Sequence, residues 1–64
     1  MSLIERISVD PEIMGGEPCI RRTRLPVIVI LTHLVWGDTV DDILAGWPYL
    51  EKEDVLACVE WVAQ

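Results

Sequence analysis

Apolar and polar positions alternate with different periods along this chain, and Gly and Pro mark the breaks. Val40, Ile43, Leu44 and Trp47 recur at i, i+3, i+4 and i+7, the single stripe of an amphipathic helix. Thr39 stands where an N-cap belongs. Asp42, three residues on, completes a capping-box-like arrangement with a shorter arm than the usual Glu. Pro48 stops this helix. A last helix is predicted over about residues 51–63, with Val55, Leu56, Val59 and Val62 as its stripe and Cys58 and Trp61 flanking it. Glu51, Glu53 and Asp54 fall in its first turn, where the helix dipole favours acids. Upstream, residues 27–36 are apolar nearly all round. Their β-branched start would suit a strand, but Pro26 before and Gly37 after favour a helix. Such a helix must be covered on most sides.

The first 26 residues read as turns and short strands. Ile4, Ile7 and Val9 alternate in part, and Asp10-Pro11 and Gly15-Gly16 punctuate. Cys19-Ile20 is expected to pair with Arg24-Leu25 as a hairpin around Arg21-Arg22-Thr23. The short Pro48-Tyr49-Leu50 connection suggests a helix-turn-helix-like bend. The expected architecture is mainly α: a single domain over 1–64, with an N-terminal β arm or hairpin (1–26) and a three-helix, helix-turn-helix-like bundle (27–64).

Length changes this picture. Sixty-four residues allow one domain, and 52% of them are hydrophobic. A chain of this size buries only about 60% of its unfolded surface, so a lone monomer is marginal. Self-association is the simplest remedy for a surplus of apolar residues, and a homodimer or a partner-bound subunit is expected. No apolar run approaches the roughly 18 residues of a membrane span, and the N-terminus lacks the basic and apolar regions of a signal peptide. Cys19 and Cys58 form no CxxC, so free thiols and a cytoplasmic location are expected.

Charge is unevenly placed. Residues 1–26 hold Arg6, Arg21, Arg22 and Arg24 against four acids and are neutral. Residues 27–64 hold Lys52 alone and carry the whole net charge of −6. A helix-turn-helix reads base edges with the start of its second helix. Here that start is Glu51, Lys52, Glu53 and Asp54, which phosphate repels. One histidine, His33, and no nucleophile–His–acid set or HExxH motif leave no familiar catalytic or zinc machinery, and neither cofactor nor metal is expected. The acidic pairs at helix starts read as dipole partners, and Gly15-Gly16 reads as a turn without phosphate-loop context.

The cluster Arg21-Arg22-Thr23-Arg24 is the most informative feature. Three adjacent guanidiniums repel one another unless anions meet them. Glu12 or Glu17 could balance them within a solvated turn. A carboxylate-rich protein surface or a phosphate could do so from outside. Trp36, Trp47 and Trp61 each fall at or near a helix C-terminus. Core packing is one reading for them. A contact surface is the other, because Trp is enriched at binding hot spots.

Several segments together resemble a known family: Arg6-Ile7-Ser8-Val9-Asp10-Pro11-Glu12-Ile13-Met14-Gly15-Gly16-Glu17-Pro18-Cys19-Ile20, then Thr23-Arg24-Leu25-Pro26-Val27, Trp47-Pro48-Tyr49-Leu50 and Asp54-Val55. Over about residues 4–63 the chain is similar to the bacterial family called domain of unknown function 433. The resemblance rests on Gly16, Pro18, Thr23, Arg24 and Pro26 in the arm and Pro48 and Leu50 in the bend. It implies a small homeodomain-superfamily bundle with an N-terminal β element. It also implies an antitoxin-like role beside a PIN-like ribonuclease toxin, with operon autoregulation. It supplies no catalytic residues. Two positions depart from the pattern. Arg22 replaces the glycine usual before Thr23, so a turn with positive φ becomes costly or changes type. Glu51 replaces a Ser or Thr at the last helix, a poorer cap.

The expected function is therefore an antitoxin-like binding module, not an enzyme. Arg21, Arg22 and Arg24, with Trp36 and Trp61, are the expected partner-binding residues. The alternatives are a dimeric DNA-binding regulator acting through the arm and a structural accessory subunit.

Overall fold

The computed structural model describes residues 3–64 and is mainly helical. A 3-10 turn, Leu3–Arg6, leads into β1 (Ile7–Ser8). After a loop containing a second 3-10 turn, Met14–Gly16, comes β2 (Cys19–Ile20). Three helices follow: α1 (Val27–Val35), α2 (Val40–Gly46) and α3 (Lys52–Ala63).

The arm pairs differently from the expected hairpin. β2 runs antiparallel to β1, with Ile7 opposite Ile20 and Ser8 opposite Cys19. The segment around Arg24 and Leu25 forms no strand. It returns beside β2 through a bridge between Cys19 and Pro26, with Ile20 N–H donating to the Leu25 carbonyl at 3.0 Å. The reason lies in burial. Ile7, Cys19 and Ile20 enter the core, whereas Val9 stays 53% exposed and the expected Ile4–Ile7–Val9 alternation ends at Ile7. Met14, Gly15 and Gly16 all have positive φ, so the Gly-Gly pair makes the left-handed turn its composition favours.

Helix ends follow the local chemistry. Pro26 caps α1 in extended conformation. Beyond its C-terminus Gly37 takes φ 97°, Gly37 N–H donates to the Leu34 carbonyl, and Asp38 N–H donates to the His33 carbonyl. This is a Schellman closure, which needs a left-handed residue at Gly37. At α2 the expected box is present. Asp42 N–H donates to Thr39 Oγ1 at 3.1 Å, and Thr39 N–H donates to Asp42 Oδ2 at 2.9 Å. These bonds favour the ionised carboxylate and hold the Asp42 pKa below its ordinary value.

The core joins Ile7 and Ile20 from the arm, Val27 and Ile30 from α1, Ile43 from α2, and Leu50, Val55, Ala57 and Cys58 from the bend and α3. Val40, Leu44 and Trp47 pack at its edge, as their spacing requires. α3 departs from expectation. Its buried side carries Asp54, Val55, Ala57 and Cys58, with Trp61 packed beside it, whereas Leu56, Val59 and Val62 are 39%, 43% and 60% exposed. Positions 54, 57, 58 and 61 are also spaced i, i+3, i+4 and i+7. The helix is turned so that Asp54 reaches Arg6, and bulkier residues are left outside. Cys19 and Cys58 are buried and free. Burial, aided by Asp54, pushes the Cys58 thiol up to about 11, and burial with Glu17 raises Cys19.

Candidate functional site

The arginine turn is built by its backbone. Thr23 N–H donates to the Ile20 carbonyl at 3.1 Å, which makes Arg21 and Arg22 the two central residues of a β-turn. Arg22 has φ 67°, and Arg21 is not among the positive-φ residues. That is the sign pattern of a type II turn, whose third residue is ordinarily Gly. The glycine-like conformation is thus kept although the residue is Arg, at a strain of about 1 kcal/mol. Thr23 supplies the compensation. Its Oγ1 donates to the Ile20 carbonyl at 2.7 Å and accepts from Leu25 N–H at 3.1 Å. Arg21 N–H also donates to the Arg6 carbonyl at 2.6 Å, which ties the turn to the start of β1.

Arg6 is the functional neighbour that sequence reasoning missed. Its Nη1 donates to Asp54 Oδ1 at 3.1 Å and to Glu51 Oε1 at 3.3 Å. Asp54 Oδ2 meanwhile accepts from Glu51 N–H at 2.8 Å, so one carboxylate both caps α3 and holds the arm. The Glu51 side chain reaches Arg6 instead of serving the helix end alone. The only sequence signal was the Glu51/Asp54 spacing, which the helix dipole already accounted for. Arg6 lies 48 residues from Asp54 along the chain.

Together the arginine turn, Arg6 and the α2–α3 bend surround an open concavity of about 650 Å³. Arg21, Arg22 and Thr23 of the turn form a wall of it, Tyr49, Leu50, Glu51 and Asp54 line it from the bend and the start of α3, and Glu5 and Arg6 line it from the arm. Arg24 is exposed but does not line it. Among the described residues, Arg21, Arg22 and Arg24 have no carboxylate within 4.0 Å, so neither Glu12 nor Glu17 balances them. The concavity therefore has one wall of unpaired cations on a chain of net charge −6.

The tryptophans divide. Trp36 is 72% exposed at the end of α1, whereas Trp47 and Trp61 are half-buried against the core. Neither Trp36 nor Trp61 lines the concavity with the arginines. His33 Nδ1 donates to Asp38 Oδ2 at 2.7 Å, and the ring meets Trp36 and Trp47 edge-on, with ring centroids 5.4 and 5.1 Å away. It fastens the α1–α2 loop.

The sequence profile of the family described as protein of unknown function (DUF433) matches residues 7–62. The chain belongs to the DUF433 family. It is similar to an uncharacterized protein, y4eO, of Sinorhizobium fredii (strain NBRC 101917 / NGR234). Identity is 35% over 51 residues, which is 80% of this chain and 23% of that protein. A DUF433 member from Anabaena variabilis ATCC 29413, solved by crystallography, superposes with a TM-score of 0.87 at 32% identity. That match covers 92% of this chain and 58% of the solved one. Both relatives are thus substantially longer than the part this DUF433 chain matches. No helix among the described residues is long and apolar enough to cross a membrane.

Proposed function

We propose that this DUF433 chain is an antitoxin-like protein-binding module that neutralises a PIN-like ribonuclease in the cytoplasm, and that it is not itself an enzyme. The observation carrying this reading is the unpaired arginine wall. Arg21 and Arg22 line the concavity without an intramolecular counterion, on a chain otherwise rich in acids. A nuclease active site that gathers carboxylates for metal ions is complementary to that wall. Guanidinium forks bind carboxylates in pairs. Seated there, Arg21 or Arg22 competes with the metal and obstructs RNA, with Arg24 adding charge from the side. Strain retained at Arg22 fits a residue held for what its side chain meets.

The exposed acids at the start of α3, Glu51 and Glu53, speak against phosphate contact by that helix. Autoregulation of an operon would then depend on the partner, with an operator gel shift appearing only when the nuclease is added.

The test is calorimetric titration of a PIN-like ribonuclease from the same organism with wild type and with Arg21→Ala/Arg22→Ala/Arg24→Ala. Truncating arginines buried against carboxylates weakens binding by about 2 kcal/mol or more, roughly 30-fold. The same triple variant keeps its unfolding free energy within about 0.5 kcal/mol, since these side chains hold nothing in the fold. Undiminished binding by the folded triple variant overturns the reading.

A further inference from the structure

Contact with carboxylates uses the arginines of the concavity and leaves Tyr49 and Glu5, which also line it, without a task. Six charged side chains line this space: Arg6, Arg21 and Arg22 against Glu5, Glu51 and Asp54. Arg6 is committed to Glu51 at 3.3 Å and to Asp54 at 3.1 Å. Two guanidiniums and the exposed Glu5 carboxylate stay open, with no ion-pair partner within 4.0 Å among the described residues. Tyr49 is 62% exposed and, among the described residues, meets no other aromatic ring. The side chain of Thr23 and the Arg6 carbonyl fix the backbone of the turn, so both guanidiniums start from a set place.

We infer that this concavity binds a nucleoside 5′-phosphate, with the phosphate at Arg21 and Arg22 and the base on the Tyr49 ring. Each open group selects one part of that ligand. Guanidinium forks pair with phosphate oxygens through parallel N–H···O bonds. A flat base covers an exposed tyrosine ring, and any of the bases serves because each has a π-face. Ribose hydroxyls and base amino groups donate hydrogen bonds, which a carboxylate such as Glu5 accepts. A bare anion meets the arginines but is repelled by Glu5 and leaves Tyr49 uncovered. An uncharged aromatic leaves the arginines unpaired. A ligand with its anion at one end and its ring and donors at the other answers all three. The volume, about 650 Å³, falls in the range of roughly 300–1,000 Å³ found for small-molecule and cofactor sites.

The test contains no ribonuclease, so its outcome is separate from the binding proposed above. The wild-type chain is titrated calorimetrically with AMP in about 150 mM salt, which screens the net charge of −6. Binding should saturate at one AMP per chain. Adenosine and inorganic phosphate, each lacking one half of the ligand, should bind at least about tenfold more weakly. Arg21→Ala/Arg22→Ala and Tyr49→Ser should each weaken AMP binding by about tenfold or more. Tyr49→Phe should bind like wild type and keep the upfield ring-current shift of the adenine protons, which Tyr49→Ser should lose. Arg24→Ala, outside the lining, should bind like wild type. A 5′-phosphorylated RNA trinucleotide separates two sources of the same chemistry: tighter binding than AMP assigns a strand end, equal or weaker binding a free nucleotide. Phosphate binding as tightly as AMP overturns the proposal, as does Arg24→Ala costing as much as the Arg21/Arg22 pair, which reduces the effect to net charge. So does an amide spectrum unchanged at about 10 mM AMP, a concentration that fills even a millimolar site. Should Tyr49→Ser fold poorly, the ring-current shift on wild type reads the same contact, and its absence is equally fatal.

Discussion

Two arginine environments line one concavity. Arg6 on the floor is bonded to Asp54 and Glu51, and its carbonyl holds Arg21. Arg21 and Arg22 on the wall have open guanidiniums, and the backbone beneath them is strained. The same side chain, fifteen residues apart, serves cohesion in one place and stays available in the other. The difference comes from what lies opposite. Arg6 meets the acidic start of α3 within hydrogen-bonding distance, whereas among the described residues no carboxylate comes within 4.0 Å of the turn's arginines. A cluster of like charges is thus best read by asking which of its members the fold has already satisfied.

The sharpest way to break this contrast is to remove the anchor of the floor. Asp54→Ala deletes a helix-cap bond and one acceptor of Arg6, and it should lower the unfolding free energy by about 2 kcal/mol. For a domain this small the midpoint should fall by roughly 10 °C in a calorimetric scan. A fall of under 2 °C would show that the seam contributes little. The wall should respond in the opposite sense. Arg22→Gly relieves the left-handed φ, and after the entropy of an added glycine it should raise stability by up to about 0.5 kcal/mol while weakening nuclease binding. Loss of stability in urea titration would mean that the Arg22 side chain supports the fold after all.

The smallest effect concerns acid. The folded Asp42 carboxyl has a lowered pKa, so its contribution is present above the ordinary carboxylate range and is lost as pH falls through the folded value. Urea midpoints of wild type and Asp42→Asn should differ at pH 7, and the difference should shrink as pH falls below the ordinary carboxylate range. A difference that stays constant as pH falls through that range would place the effect elsewhere than in the charge.

Legibility in the sequence followed range. The Thr39–Asp42 box and the Pro26–Gly37 bracket of α1 act over a few residues and could be read directly. The β pairing and the rotation of α3 could not. Both depend on Ile7 or Arg6 meeting residues far along the chain, and periodicity ranked Leu56 and Val59 above Asp54 because it counts apolarity, not partners. For the site, the arginine turn was visible as a charge cluster, and its strained position was visible as an Arg where glycine is usual. That Glu12 and Glu17 would leave it unbalanced was not visible, because sequence proximity allowed either outcome. Nor could the sequence show that Trp36 and Trp61 lie outside the concavity that Arg21 and Arg22 line.

The two cysteines bear on how this protein can be studied. Both are enclosed and hold their protons tightly, with the Cys58 thiol at about 11. A maleimide dye at neutral pH therefore meets almost no native thiolate. A single cysteine introduced at the surface becomes a selective handle in the otherwise wild-type chain, so fluorescence energy transfer can follow this molecule without first stripping its own sulfur from the core.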